Sequence, residues 1–370
     1  EMGCASTDAA GKPKAAKTST PKKPGSLLWK FATGGAVICT PAIGDDGILF
    51  FGSDDKKFYA VNGKTGQKIW EYNAGGQASA PAIGREGTVY FGTDKAYAFN
   101  GKTGQKIWEF ATENESFSGY PAIGADGTVY IGSSRSIYAL DGKTGAKKWS
   151  VPESGGRISI AEHGTIYLGV GRIFKALEAK SGKTKWEFTT GDARGISNPA
   201  IGSDGTVYIG CRDSYIYALN GKTGEKIWAF KTGSRSYCSP VIGEDGTVYG
   251  GSDDGNVYAI NGKTGKLKWP RSVGSVRFNS AALGNNGTLY IGSRTPVLWA
   301  LDVKTGKPKW FYSAGATIFS SQTIGPDGTI YFGTTDGVVH AVETDSTGPA
   351  KSPWPMLGQN SRHTSLFQGK

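Results

Sequence analysis

The sequence predicts an all-β fold, an eight-bladed β-propeller of four-stranded antiparallel blades, from three observations. Tryptophans at 29, 70, 108, 149, 186, 228, 269 and 310 are spaced by 41, 38, 41, 37, 42, 41 and 41 residues. A short apolar strand opening on a glycine recurs eight times, at Gly47, Gly87, Gly127, Gly164, Gly205, Gly246, Gly287 and Gly328. Turns of the type Asn220-Gly221-Lys222-Thr223-Gly224 join the strands that end and begin around each tryptophan. A unit this small cannot bury a face alone, so the units must stack. A β-helix is the competing repeat architecture, but it would not use antiparallel hairpin turns twice per repeat.

One unit gives the order of strands. Pro199, Ala200 and Ile201 end the first, and Ser203-Asp204-Gly205 turns the chain. Residues 206–210 form a second strand, 216–219 a third and 226–230 a fourth, which carries Trp228. The Asn-Gly pair between two alternating apolar runs is a hairpin signal, with both residues expected at positive φ.

Residues 1–25 are rich in Lys, Pro, Ala and Thr and too poor in apolar side chains to order themselves, so they read as a flexible basic linker. Cys4, between Gly3 and Ala5-Ser6, resembles the end of a bacterial lipoprotein signal and is the candidate lipidation site. A cationic tether also suits an anionic lipid surface. Residues 26–343 span the propeller. The eighth blade lacks an outer strand of its own, and Trp29-Lys-Phe-Ala-Thr33 matches Trp186-Glu-Phe-Thr-Thr190 closely enough to supply it. The rival, Trp354, stands between Pro353 and Pro355, which cannot donate to a ladder. The tail, 344–370, is expected to pack over an outer edge or the bottom surface.

The formal charge of +11 points towards nucleic acid or acidic polymers, although many lysines belong to the repeated turn and are solvated decoration. No run of eighteen apolar residues is present to span a membrane as a helix.

The phrase Ala-x-(Asn/Asp)-Gly-Lys-Thr-Gly-x-x-x-Trp, as in residues 218–228, resembles the tryptophan-docking motif of the pyrroloquinoline quinone (PQQ)-type propellers over nearly all of 27–343. The resemblance implies that Trp29, Trp70, Trp108, Trp149, Trp186, Trp228, Trp269 and Trp310 dock neighbouring blades. One branch of that superfamily holds the PQQ-dependent alcohol and sugar dehydrogenases. Another holds non-catalytic propellers, such as the lipoprotein of the outer-membrane β-barrel assembly machinery. The dehydrogenase pattern includes a vicinal Cys-Cys pair, a Ca²⁺ bound by acidic and amide side chains, an Asp base and long inter-blade insertions. This chain has no Cys-Cys pair, uniformly short loops and no Cys-x-x-Cys-His haem site. PQQ with Ca²⁺ is therefore expected only under the alternative reading of a compact quinoprotein, and no catalytic or metal-binding residue is assigned.

Other constellations are weak. His163, His340 and His363 stand apart, without metal-site spacing, and His340 alternates within a strand as a packing or surface residue. Asp54-Asp55 and Asp253-Asp254 read as solvated turns. A Cys211–Cys238 disulfide is geometrically conceivable, with buried thiols as the default for these and for Cys39.

The arginines break the repeat. Arg157, Arg194, Arg235 and Arg277 precede first strands, and Arg135, Arg172, Arg212 and Arg294 follow second strands, so eight of the eleven map to one face near the central funnel. Guanidinium forks suit carboxylate, phosphate or sulfate. Acids on the same loops, Asp192, Asp213 and Glu153, are the competing partners, and Phe117, Tyr120, Tyr215, Tyr237, Phe278 and Phe319 add stacking surface. The expectation is a non-catalytic bacterial envelope propeller, facing the periplasm from the outer membrane or exported. It presents this face to a protein partner or acidic polymer, a lectin-like binder of acidic polysaccharide being the further alternative. An envelope address leaves nucleic acid out, the membrane is reached by a lipid anchor only, and the chain by itself is expected to be a monomer.

Overall fold

The computed structural model describes residues 23–154, 156–191, 195–276 and 279–367. Strand β1 (Leu27–Ala32) stands apart from the strands that follow it. Blade 1 is β2 (Ala42–Ile43), β3 (Ile48–Gly52), β4 (Lys57–Asn62) and β5 (Lys68–Asn73), running from the central channel outwards. Six more four-stranded antiparallel meanders repeat that order. Blade 8 takes its three inner strands from Thr323–Ile324, Ile330–Gly333 and Val338–Val342, and its outer strand is β1, with Trp29 opposite Ala341. The ring closes on Trp29, as the sequence predicts.

Burial follows position. In β3 and β4 nearly every side chain is buried, because neighbouring blades cover both faces; in β5 exposed and half-buried residues alternate. Between blades, each indole lies against the last glycine of the next blade's turn. A Cβ on Gly224 would lie 2.5 Å from the Trp186 ring, and one on Gly265 2.8 Å from Trp228. The indole N–H then donates to a carbonyl of that turn: Trp186 to Gly221 at 2.9 Å, Trp228 to Gly262 at 2.7 Å, and Trp29 to Gly63 at 2.8 Å across the closure. A tyrosine of the second strand donates to the same oxygen, Tyr167 to Gly221 at 2.9 Å and Tyr331 to Gly63 at 3.1 Å. Both lone pairs are thereby used. At Trp310 the arrangement changes: the indole N–H reaches Asp345 Oδ1 at 3.4 Å and the ring meets Gly25.

The turn differs from expectation. Positive φ falls on Gly224 (77°), and neither Asn220 nor Gly221 has it. The Asn220 side chain explains this, since its Oδ1 accepts from the N–H groups of Lys222 at 2.9 Å and Thr223 at 3.2 Å. The Asx turn carries the chain round in a right-handed conformation until Gly224, whose N–H returns to Asn220 O at 2.8 Å. Gly221 is small for another reason: a Cβ there would lie 2.3 Å from Gly205 O.

Beyond Val342 the chain crosses the lower end of the channel. The N–H groups of Ile43, Ile83, Ile123, Ile160, Ile242 and Leu283, all in inner strands, donate at 2.8–2.9 Å to carbonyls of Ser361, Arg362, Thr364, Ser365, Trp354 and Pro355. Blade 8 joins through Thr323 Oγ1, 3.1 Å from His363 Nε2, while His363 Nδ1 faces Pro81 O at 3.2 Å. Trp354, Met356 and Leu357 are buried beneath the ring. The inner strand edges, which a propeller leaves open to its channel, are thus capped by tail carbonyls at six blades.

Two expectations follow. Gly205 (φ 81°) has open space where a Cβ would go, whereas Gly224 faces Trp186. Gly205→Ala should therefore cost about 1 kcal/mol of backbone strain, and Gly224→Ala roughly 2–4 kcal/mol because strain and overpacking add. Equal losses in urea midpoint would remove the docking account. Burial holds His363 and His340 neutral, lowering each from 6.5 to about 4. The unfolded chain takes up those protons first, so stability is fully present above 6.5 and is lost as pH falls towards 4. The loss is roughly 3 kcal/mol per histidine. His363→Gln should shrink that slope, and an unchanged urea–pH profile would count against it.

Candidate functional site

The upper face carries the loops that enter inner strands and the turns between second and third strands. At its centre the channel wall is a ring of residues set just before each inner strand. Asn198 N donates to Ser239 Oγ (3.1 Å), Ser239 N to Ser280 Oγ (3.1 Å), Ser280 N to Ser321 Oγ (2.9 Å) and Ser321 N to Thr40 Oγ1 (3.2 Å). These side chains stitch blades 5, 6, 7, 8 and 1. Blades 2, 3 and 4 carry Ala80, Tyr120 and Arg157 at the equivalent position, and the stitching stops there.

Where it stops, two cavities open. One of about 390 Å³ is lined by Ser118, Tyr120, Arg157, Tyr237 and the glycines 156, 169, 171 and 195. The other, about 330 Å³, shares Ser118, Tyr120 and Arg157 and extends past Thr40, Ser79, Phe319 and Ser321. Among the described residues Arg157 is the one charged side chain lining either, and no described Asp or Glu lines them. Its guanidinium carbon lies 4.5 Å from the Tyr237 ring centre and 5.8 Å from that of Tyr120; Arg212 lies over the same Tyr237 ring at 4.7 Å. Cation–π contacts of this kind are worth about 0.5–2 kcal/mol each and orient the charge without neutralising it. Tyr237 is seated on Gly195 (φ 148°), where a Cβ would come within 2.5 Å of the ring. Tyr120 N donates to Gly156 O at 2.8 Å, and burial pushes its phenol up, so it stays a protonated donor.

Of the competing acids, Glu153 and Asp213 are engaged elsewhere. Glu153 pairs with Lys175 at 2.5 Å. Asp213 accepts from the Tyr217 hydroxyl at 2.6 Å and from Gly191 N at 2.8 Å. Asp55 repeats that pattern with Tyr59 (2.6 Å) and Gly34 N (2.9 Å), and Asp254 with Tyr258 and Gly233 N, so these turn acids tie loops together. Among the described residues no group of three or more His, Cys, Asp or Glu could hold a metal ion. The described lining does not fit a calcium–quinone pair, since among the described residues neither cavity offers an acidic ligand.

The predicted site residues therefore divide. Arg157, Tyr120 and Tyr237 meet at the mouth, with Arg212 beside them. Arg135, Arg172, Arg235 and Arg294 are exposed on surrounding loops, away from the cavity walls. Tyr215 opens a third strand and packs at 5.7 Å on Tyr217, outside the mouth, because the turn has already left the channel there. Cys4, Arg194, Arg277 and Phe278 lie outside the described residues, as does Asp192. Sequence reasoning overlooked Thr40, Ser239, Ser280 and Ser321; the 41-residue period of the last three is their signal.

The sequence profile described as outer membrane protein assembly factor BamB matches residues 18–111, 92–237 and 212–348. No curated protein matches. Among solved structures, BamB from Moraxella catarrhalis superposes with a TM-score of 0.71 at 19% identity, over 86% of this chain and 99% of that one. The computationally designed Ika8 protein gives 0.71 at 16% identity with the same coverage. At such identities both likenesses speak to the fold alone.

The described cysteines are thiols, with no Cys211–Cys238 disulfide. Cys39 exchanges hydrogen bonds with Gly52, and Cys238 donates to Val276 O at 2.6 Å. Burial pushes Cys39 up to about 12 and Cys211 up to about 11. In a Cys4→Ser protein, Ellman's reagent should find these thiols only after denaturant is added; rapid labelling of the native protein would contradict the burial.

Proposed function

The chain belongs to the outer membrane protein assembly factor BamB family, and we propose that it is a non-catalytic protein-interaction propeller of the bacterial cell envelope. In this reading Cys4 carries a lipid that holds the propeller at the outer membrane on its periplasmic side, and the basic segment behind it acts as the tether. The upper face meets an acidic protein partner. The observation that carries the reading is the profile match across nearly the whole propeller. The upper face supports it by its charge: Arg135, Arg172, Arg235 and Arg294 are exposed around a mouth whose described walls hold Arg157 and no acid. Exposed arginines of this kind steer association and make it salt-dependent.

The test uses the protein expressed with its export signal. Wild type should sediment with outer membranes and Cys4→Ser should move to the soluble periplasmic fraction; identical fractionation would end the tether. Photo-crosslinkers placed beside Arg135 and Arg294 should give one envelope-protein adduct that fades with added salt. Replacing Arg135, Arg172, Arg235 and Arg294 together by Glu should cut that adduct about tenfold or more, and an undiminished adduct would end the assignment of this face.

A further inference from the structure

We propose that the mouth at Arg157 is a receptor for the C-terminal carboxylate of an extended peptide chain. This rests on the interaction reading above and names the chemistry of one point on the same face.

A half-buried guanidinium stacked on tyrosine rings retains its hydrogen-bonding needs and its charge. Among the described residues no carboxylate pairs with Arg157, and no described Asp or Glu lines either cavity. The group missing from this surrounding is an anion. A planar carboxylate matches one guanidinium fork, with a neutral donor alongside to complete its hydrogen bonds. Tyr120, which lines the same cavities and whose phenol burial keeps protonated, provides that donor.

One feature selects a chain end. The channel is closed below by the tail, whose carbonyls cap the inner strands of six blades, so a peptide cannot thread through the ring. A segment with an internal Asp or Glu would have to leave the mouth on both sides of the acidic residue. Cavities of this size suit a few residues rather than a folded surface.

The probe is a fluorescein-labelled octapeptide of Ala, Ser and Phe with a free C-terminus, followed by anisotropy with the full chain at low salt. The free acid should bind at least tenfold more tightly than its C-terminal amide. Arg157→Gln should remove that difference and Tyr120→Phe should reduce it severalfold, with unchanged circular dichroism and thermal midpoint. Lys222→Gln, at an exposed turn on the opposite face, should leave it intact. Equal binding of acid and amide overturns the proposal, as does no binding of either. An amidated peptide with an internal Glu that binds as well as the free acid also overturns it. That result would leave the acidic-partner reading standing, whereas a crosslinked adduct undiminished by the four Arg→Glu replacements would end that reading independently. Competition by acetate or succinate at the peptide's own affinity would make this a small-acid site and likewise overturn the chain-end assignment. Should Arg157→Gln not fold, Tyr120→Phe together with the acid–amide comparison on wild type still decides the matter.

Discussion

The structure hangs on one repeated contact, an indole laid flat on the α-carbon of a left-handed glycine in the next blade. At Trp186 and Gly224 the fit leaves no room for a methyl group, and the neighbouring carbonyl of Gly221 is claimed by both the indole and the Tyr167 hydroxyl. Burying an aromatic side chain of this size is worth a few kcal/mol, and each buried hydrogen bond adds about 1 kcal/mol. Neither would matter singly, but the contact is made between successive blades around the ring. It fixes the spacing of tryptophans, the length of the turn and the angle between blades together. Its geometry also confines it to the lower half of each blade, which frees the loops on the opposite face to vary.

That division explains what could be read from the sequence. Period, strand order, blade count and closure by Trp29 were all legible, because each is set by apolar spacing that repeats. The local conformation of the turn was not: Asn220-Gly221 looks like a two-residue hairpin, and only the side chain of Asn220, capping two N–H groups, shifts positive φ to Gly224. The mouth was half legible. Arg157 stood in the sequence among eight arginines with the same apparent address, and nothing in its neighbours set it apart from Arg172 or Arg235. What distinguishes it is a register position shared with Thr40, Ser239, Ser280 and Ser321, which only the superposition of blades brings into one ring. Tyr237 belongs to a loop two blades onward, and no local pattern could have joined it to Arg157.

The asymmetry of that ring also separates structural from functional polarity. Where Ser239, Ser280, Ser321 and Thr40 take a neighbour's N–H, their oxygens are part of the scaffold, and replacing one would strand a buried backbone donor. Where Ala80, Tyr120 and Arg157 interrupt it, the wall carries a methyl group, a phenol and a guanidinium in place of that stitching. Polar side chains at equivalent positions in equivalent blades thus have different surroundings, with the Ser and Thr oxygens bonded to the preceding blade and Arg157 stacked on tyrosine rings.

The closure of the ring has a consequence for biogenesis. Strand β1 is made early and its partner, Val338–Val342, some three hundred residues later, so the last ladder joins the two most distant parts of the propeller. Contacts of such long sequence separation form slowly. Until they do, the chain is an open arc with exposed strand edges at both ends and an uncapped channel. A propeller threaded through a translocation pore from its N-terminus would hold that arc open until the final blade emerged. During that interval it would be a natural client for chaperones that shield unpaired strands.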